Sequence, residues 1–291
     1  MQDKIVGRVM LVLTVFSGLI LVFMTLGLFE RSRPILAMKS LGHLLLGTSW
    51  KPLKGDFGFF PFIMGSLWVT LVAVAIAVPL CLLAAIYLSE YAPRRMRDIA
   101  RPLIDLLAGI PSVVFGVWGI LIIVPFIKDY IAPLTGSFSS GYSVLAAGIV
   151  LAIMIFPLIV NVTMEVFGTV PRELRDASLA LGATKWQTVK YAVVRRAFPG
   201  IVAAVLLGLS RAFGETMAVL MVAGNVARVP HSLLDPSYPL AALIANNYGE
   251  MLSVPLYDSA LLLASLVLLV VVLLFNVGAR LVLVRVTKSM K

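Results

Sequence analysis

Cysteine is almost missing from this chain: Cys81 stands alone inside an apolar run, so no disulfide can organise the fold. There are only two histidines, His43 and His231, and no second cysteine to give a zinc-like spacing, so no metal site is expected. Charge is the next shortage. Of 291 residues 13% are charged and 60% apolar, against about 25% and roughly 45–50% in ordinary soluble domains, which excludes a water-soluble globule. The glycine-rich turn G-x-x-x-x-G-K-[ST] that cradles nucleotide phosphates is absent. The chain is therefore not expected to hydrolyse ATP, and neither a catalytic residue nor a cofactor is assigned to it.

What is present is apolar length. Runs at about 6 to 29, 63 to 88, 105 to 127, 143 to 162, 200 to 223 and 259 to 279 each reach the roughly 20 residues a helix needs to cross a bilayer core of about 30 Å. The first is too long for a signal-peptide core of about 7 to 15 residues and has no small-x-small cleavage site before Glu30, so it is read as a span. The fold class expected is all-α, a polytopic membrane protein of six transmembrane helices with lipid around it.

The net charge of +10 does not point to nucleic acid, because the basic residues are scattered between apolar runs and form no basic domain. They report topology instead, since lysine and arginine near span ends resist transfer across the membrane. With both termini cytoplasmic, sixteen basic residues fall inside and seven outside. The inner set includes Arg94, Arg95, Arg97 and Arg101, and then Arg172, Arg175, Lys185, Lys190, Arg195 and Arg196. The outer set includes Lys51, Lys54 and Arg228. Arg211 belongs to neither side. The expected layout is a first span and outer segment over 1–62, the main membrane domain over 63–283 with a long inner connection at 163–199, and a cytoplasmic tail over 284–291.

In the outer segments, Gly55 to Pro61 is expected to steer the chain back into the membrane with its aromatics at the interface. Leu240 to Ala245, followed by Asn246, Asn247, Tyr248 and Gly249, reads as a short helix lying on the outer span ends.

The inner connection carries the strongest signal. Thr169 and Pro171 are helix-start residues and Gly182 a stop signal. Between them Leu174, Ala177, Ser178 and Leu181 recur at i, i+3, i+4 and i+7, giving one small, apolar face with charge on the other. Such a helix can enter a groove on a partner or lie on the membrane surface. Asp176-Ala177-Ser178, followed after three residues by Gly182, resembles the "EAA" loop of type I ABC importer permeases, the cytoplasmic helix that docks into ATPase subunits. The Leu-Pro pair that follows in the family is Val194-Arg195 here, which removes the usual proline break, although Pro199 lies close by. Asp176 keeps the charge of the family's glutamate.

Two further strings narrow the resemblance. Leu107-Ala108-Gly109-Ile110-Pro111-Ser112-Val113-Val114-Phe115-Gly116 is similar to a signature of the two permease subunits of high-affinity phosphate importers. Arg211-Ala212-Phe213-Gly214-Glu215-Thr216-Met217-Ala218-Val219, with Gly224-Asn225 beyond, resembles the C-type subunit in particular, as does Ala245-Asn246-Asn247-Tyr248-Gly249-Glu250. The resemblance implies a type I importer permease fold in a prokaryotic cell membrane and import of inorganic phosphate. It also implies four partners: a homologous A-type permease subunit, two ATPase subunits and an extracytoplasmic phosphate-binding protein. Glu173, Asp176, Ala177, Ser178, Leu181, Gly182 and Ala183 would form the ATPase-coupling surface.

Charge inside the membrane makes a separate case. Arg211 and Glu215 fall within the fifth apolar run, where a charge costs from about 2.5 to over 10 kcal/mol depending on the scale. Spaced i, i+4, they are expected on one helical face and close enough to pair. That leaves a cation able to exchange its partner for an oxyanion, which arginine's planar fork binds with two parallel hydrogen bonds. The alternative is a structural ion pair. Ser112 and Thr216 join them as candidate path residues. Gly109 and Pro111 break the third span, either opening carbonyls to a cavity or permitting close packing. Asp105 is expected to pair with Arg101 or solvent, His231 to be solvated and Cys81 to be a packing residue. Other readings kept open are a permease for molybdate, sulfate or phosphonate, a proton-coupled secondary transporter using Glu215, and an intramembrane enzyme using it as acid or base.

Overall fold

In hydrocarbon an unpartnered backbone N–H or C=O is costly, so apolar runs fold as helices that close their hydrogen bonds internally. The computed structural model describes residues 2–136, 138–250 and 254–289. Among them six helices are long and apolar enough to cross a membrane. In chain order the helices are α1 (Gln2–Met38), α2 (Leu41–Leu46), α3 (Phe60–Tyr91), α4 (Arg94–Gly109), α5 (Ser112–Leu134), α6 (Val144–Gly168), α7 (Arg172–Ala180), α8 (Lys185–Gly214), α9 (Met217–Val222), α10 (Leu240–Asn247) and α11 (Tyr257–Ser289). Residues 290–291 of the expected tail, and 251–253 of the second outer segment, lie outside the described residues.

The bundle is built round α6, the most buried span, which packs against α3 and α8 and touches α4. Small residues permit the close approach. A methyl group at Gly208 of α8 would lie 2.6 Å from Ile159 Cδ1 of α6, and one at Gly119 of α5 would meet Val150 of α6 at 2.7 Å and Val222 of α9 at 2.8 Å. Cys81 is buried in this core, its thiol donating to the Phe156 carbonyl.

Several boundaries differ from the sequence reading. The third span does not run from 105 to 127. Ile110 and Pro111 are extended (ψ 129° and 142°), so α4 ends at Gly109 and the span restarts at Ser112. Proline disfavours the helical region for the residue before it, so Pro111 holds Ile110 extended and ends α4. The fifth span is longer on one side and shorter on the other: it begins at Lys185, ends at Gly214, and Glu215 is extended (ψ 128°) before α9 starts. The first helix runs past 29 to Met38, with Pro34 inside it.

The aromatics of the first outer segment pack inside the protein. Strands β1 (Trp50–Lys51) and β2 (Asp56–Phe57) pair antiparallel, which folds Phe57 and Phe59 inward until both are fully buried. The Trp50 ring lies 5.1 Å from Phe62 and 5.6 Å from Phe57, both edge-on. α10 is the short outer helix expected from the sequence, and its polar end closes the same knot. Asn246 and Asn247 donate to the Tyr238 hydroxyl at 3.0 and 2.8 Å, and the Tyr257 hydroxyl donates to Asn247 Oδ1 at 2.8 Å.

Candidate functional site

Pro171, with φ −58° and ψ 144°, launches α7. Thr169 does not cap it. Its backbone N–H closes the end of α6, and its hydroxyl donates to Val166 O. Gly182 stops the helix in the left-handed region at φ +84°, its N–H donating to Leu179 O. On the expected small face Ala177 is exposed, Leu181 is 89% exposed, and Leu174 and Gly182 are open to solvent. Ser178 and Ala183 are half-buried, and the Ser178 hydroxyl lies 2.9 Å from that of Thr188 at the root of α8. Glu173 and Asp176 lie on the exposed surface.

The root of α7 is held hard. Arg175 points back into the bundle and forms a two-pronged pair with Glu90 at the end of α3, Nη2 to Oε1 2.7 Å and Nε to Oε2 3.2 Å. It also donates to Val170 O at 2.6 Å and Phe167 O at 3.0 Å, where the chain passes from α6 to α7. Sequence gave no hint of this pair, because its members lie on different elements with no periodicity connecting them.

In the membrane the expected Arg211–Glu215 pair is not formed. The ion pairs among the described residues are Glu30–Arg33, Lys39–Asp56 and Glu90–Arg175. The reason is the break after Gly214, which takes the two residues off a common helical face. Glu215 instead folds over the start of α9, where its Oε1 accepts the Ala218 N–H at 3.2 Å. It lines a crevice of about 10 Å³ with Ser66 and Thr70 of α3, roughly the room of one water. Thr216, half-buried, donates weakly to Gly214 O at 3.4 Å. Arg211 is exposed on the face of α8. It lies within the fifth span, about one turn before that span ends at Gly214.

Ser112 is half-buried in the first turn of α5. Gly116 serves close packing, lying against Ala218 and Met221 of α9, whereas Gly109 has open space around it. Asp105 does not pair with Arg101. Its Oδ1 accepts from Asn161 Nδ2 of α6 at 2.7 Å. Nor did the sequence reading single out Ser210, whose hydroxyl donates to Asn276 Oδ1 and ties α8 to α11. His231 is exposed.

A profile of the family described as "Binding-protein-dependent transport system inner membrane component" matches residues 77–288. The chain belongs to that family. This inner membrane component is 41% identical over 256 residues to the "Phosphate transport system permease protein PstC" of Xylella fastidiosa (strain 9a5c), covering 83% of this chain and 78% of the relative. It is 40% identical to the "Probable ABC transporter permease protein YqgH" of Bacillus subtilis (strain 168), covering 80% and 74%, and 34% identical to the "Probable phosphate transport system permease protein PstC" of the archaeon Methanocaldococcus jannaschii, covering 80% and 79%. Its fold is that of a solved MetNI methionine ABC transporter (TM-score 0.57, 18% identity, 76% and 93% covered) and of a bacterial alginate ABC importer (TM-score 0.57, 14% identity, 79% and 80% covered). With its six spans and its bacterial and archaeal relatives, this inner membrane component is a multi-pass protein of a prokaryotic plasma membrane.

Proposed function

We propose that this chain is the permease subunit of an ATP-driven importer of inorganic phosphate, with both termini cytoplasmic. It encloses half of the path, the other half coming from a homologous A-type subunit. Two separate ATPase subunits hydrolyse the ATP and couple to this chain through α7, and an extracytoplasmic phosphate-binding protein delivers the anion. The observation that carries the coupling role is α7 itself, a helix anchored at its root by Arg175 while its small face is left open. Support for phosphate comes from the names of the relatives and from Arg211, a permanent cation without a carboxylate partner among the described residues. A charge within a membrane span is costly against lipid, so the exposed side of α8 at Arg211 is assigned to the partner permease or to an aqueous path.

Uptake of labelled phosphate in a strain lacking other phosphate importers tests the reading. Uptake that requires this chain, stops when ATP is depleted and is not competed by molybdate or sulfate is the expected result. Uptake driven by a pH gradient without the ATPase subunits would replace the proposal with a secondary transporter.

A further inference from the structure

Where α7 meets the ends of α3, α4 and α6 there is a cavity of about 380 Å³, bordered on the α7 side by Arg172, Arg175 and Asp176. Four guanidinium groups line it, Arg97 and Arg101 of α4 with Arg172 and Arg175 of α7, against two carboxylates, Glu90 and Asp176. Arg175 and Glu90 neutralise one another. Arg97 is fixed in place without being neutralised, since it donates to the Leu88 and Ser89 carbonyls at 3.0 and 3.1 Å. Arg101 and Arg172 make no ion pair among the described residues. The lining is thus positive by two charges, and two of its cations are free to reach into the space.

We propose that this cavity binds a phosphate-bearing anion, either free inorganic phosphate or the headgroup of an acidic phospholipid. The site rests on the reading that places α7 on the cytoplasmic side. Guanidinium forks match phosphate oxygens in pairs, and basic pockets between helices at a membrane's inner face are suited to phosphate headgroups. Arg101 sits on α4 and Arg172 on α7, so an anion between them would fasten the coupling helix to the bundle through a ligand, beside the permanent tie through Arg175.

The test uses the assembled permease pair with its ATPase subunits in lipid nanodiscs. Binding of labelled inorganic phosphate is measured in discs of zwitterionic lipid. Retention of phosphatidylglycerol is measured by native mass spectrometry after exposure to mixed lipid. Relative to the native complex, R101Q combined with R172Q should weaken one of the two by about tenfold or more, the effect of losing charged hydrogen bonds. Loss of phosphate binding identifies the free anion, and loss of retained phosphatidylglycerol the headgroup. The lysine pair R101K with R172K should keep most of the binding, and Asp176→Asn should tighten it. If neither measurement changes, or if the glutamine pair sheds the ATPase subunits while both remain native, the cavity is not an anion site. Neither readout depends on transport, so the site can fail while the coupling role stands, and the reverse. If the double variant does not assemble, Arg101→Gln alone, whose side chain makes no hydrogen bond among the described residues, carries the same reading.

Discussion

Arg175 and Glu90 join α7 to α3 across 85 positions of sequence through a bond of 2.7 Å. Their side chains are 21% and 10% exposed, so water screens the pair little, and Nη1 and Nη2 of the guanidinium also donate to Val170 O and Phe167 O between α6 and α7. The base of α7 is thereby tied to both α3 and α6.

The pair should behave as one unit. Removing either partner leaves the other charge largely buried, which costs about 3–5 kcal/mol for a fully buried pair and less here. Glu90→Ala and Arg175→Ala should each lower the Tm of the purified complex by several degrees, and the double variant should fall no further than the worse single one. Arg175→Lys should restore little, since an ammonium cannot span the carboxylate and the two carbonyls together. Additive Tm losses would show that the two residues act separately.

The open face of α7 gives a second expectation. Arginine at Ala177 adds bulk and charge where nothing in this chain stands in the way, so the permease pair should assemble with near-native stability. Binding of the ATPase subunits, or the hydrolysis they couple to transport, should be lost. At Gly182 there is room for a side chain but the backbone is left-handed. Asparagine, which tolerates that region, should retain more uptake than valine, which does not. Normal uptake by the Ala177→Arg variant would remove α7 from the coupling role.

How much of this was legible beforehand depends on the range of the signal. The helix from 172 to 180 was marked by Pro171, by Gly182 and by apolar spacing between them, and the one from 240 to 247 by a short apolar run ending in polar residues. The break at Ile110-Pro111 was marked by proline, although the run of apolar residues on both sides hid that α4 is a separate helix. The break at Glu215 was invisible, because one extended residue between apolar stretches leaves the hydropathy of the window unchanged. The Trp50 knot and the Glu90–Arg175 pair depend on contacts between distant segments, which no local pattern encodes.

Orientation is checked by labelling. Lys54 in the turn between β1 and β2 and Lys185 at the start of α8 are both exposed. In a Cys81→Ala background, cysteine at position 54 should react with an impermeant maleimide added to intact cells, and cysteine at 185 only after permeabilisation. Cys81 is suited to replacement because its thiol makes a single long hydrogen bond of 3.7 Å. Labelling of position 185 from outside would invert the topology and move α7 away from any cytoplasmic ATPase.

The membrane charges separate by the same logic of partners. Since Arg211 is exposed and Glu215 is occupied in capping α9, the two should not respond alike. Arg211→Gln removes a cation that no described carboxylate balances, so the complex should assemble and phosphate uptake should fall to background, because an amide can pack but supplies no charge. Arg211→Lys should recover part of the rate, keeping charge but losing the fork. Glu215→Gln keeps an oxygen able to accept the Ala218 N–H, so stability should hold, whereas Glu215→Ala deletes the cap and should cost ~1 kcal/mol. Exchanging the two residues makes the sharpest case. A structural ion pair often survives reversal, but here the exchange puts arginine where a helix start needs an acceptor and glutamate where the path needs a cation. The exchanged variant should therefore be both less stable and inactive, and robust uptake of labelled phosphate by it would exclude Arg211 from the anion path.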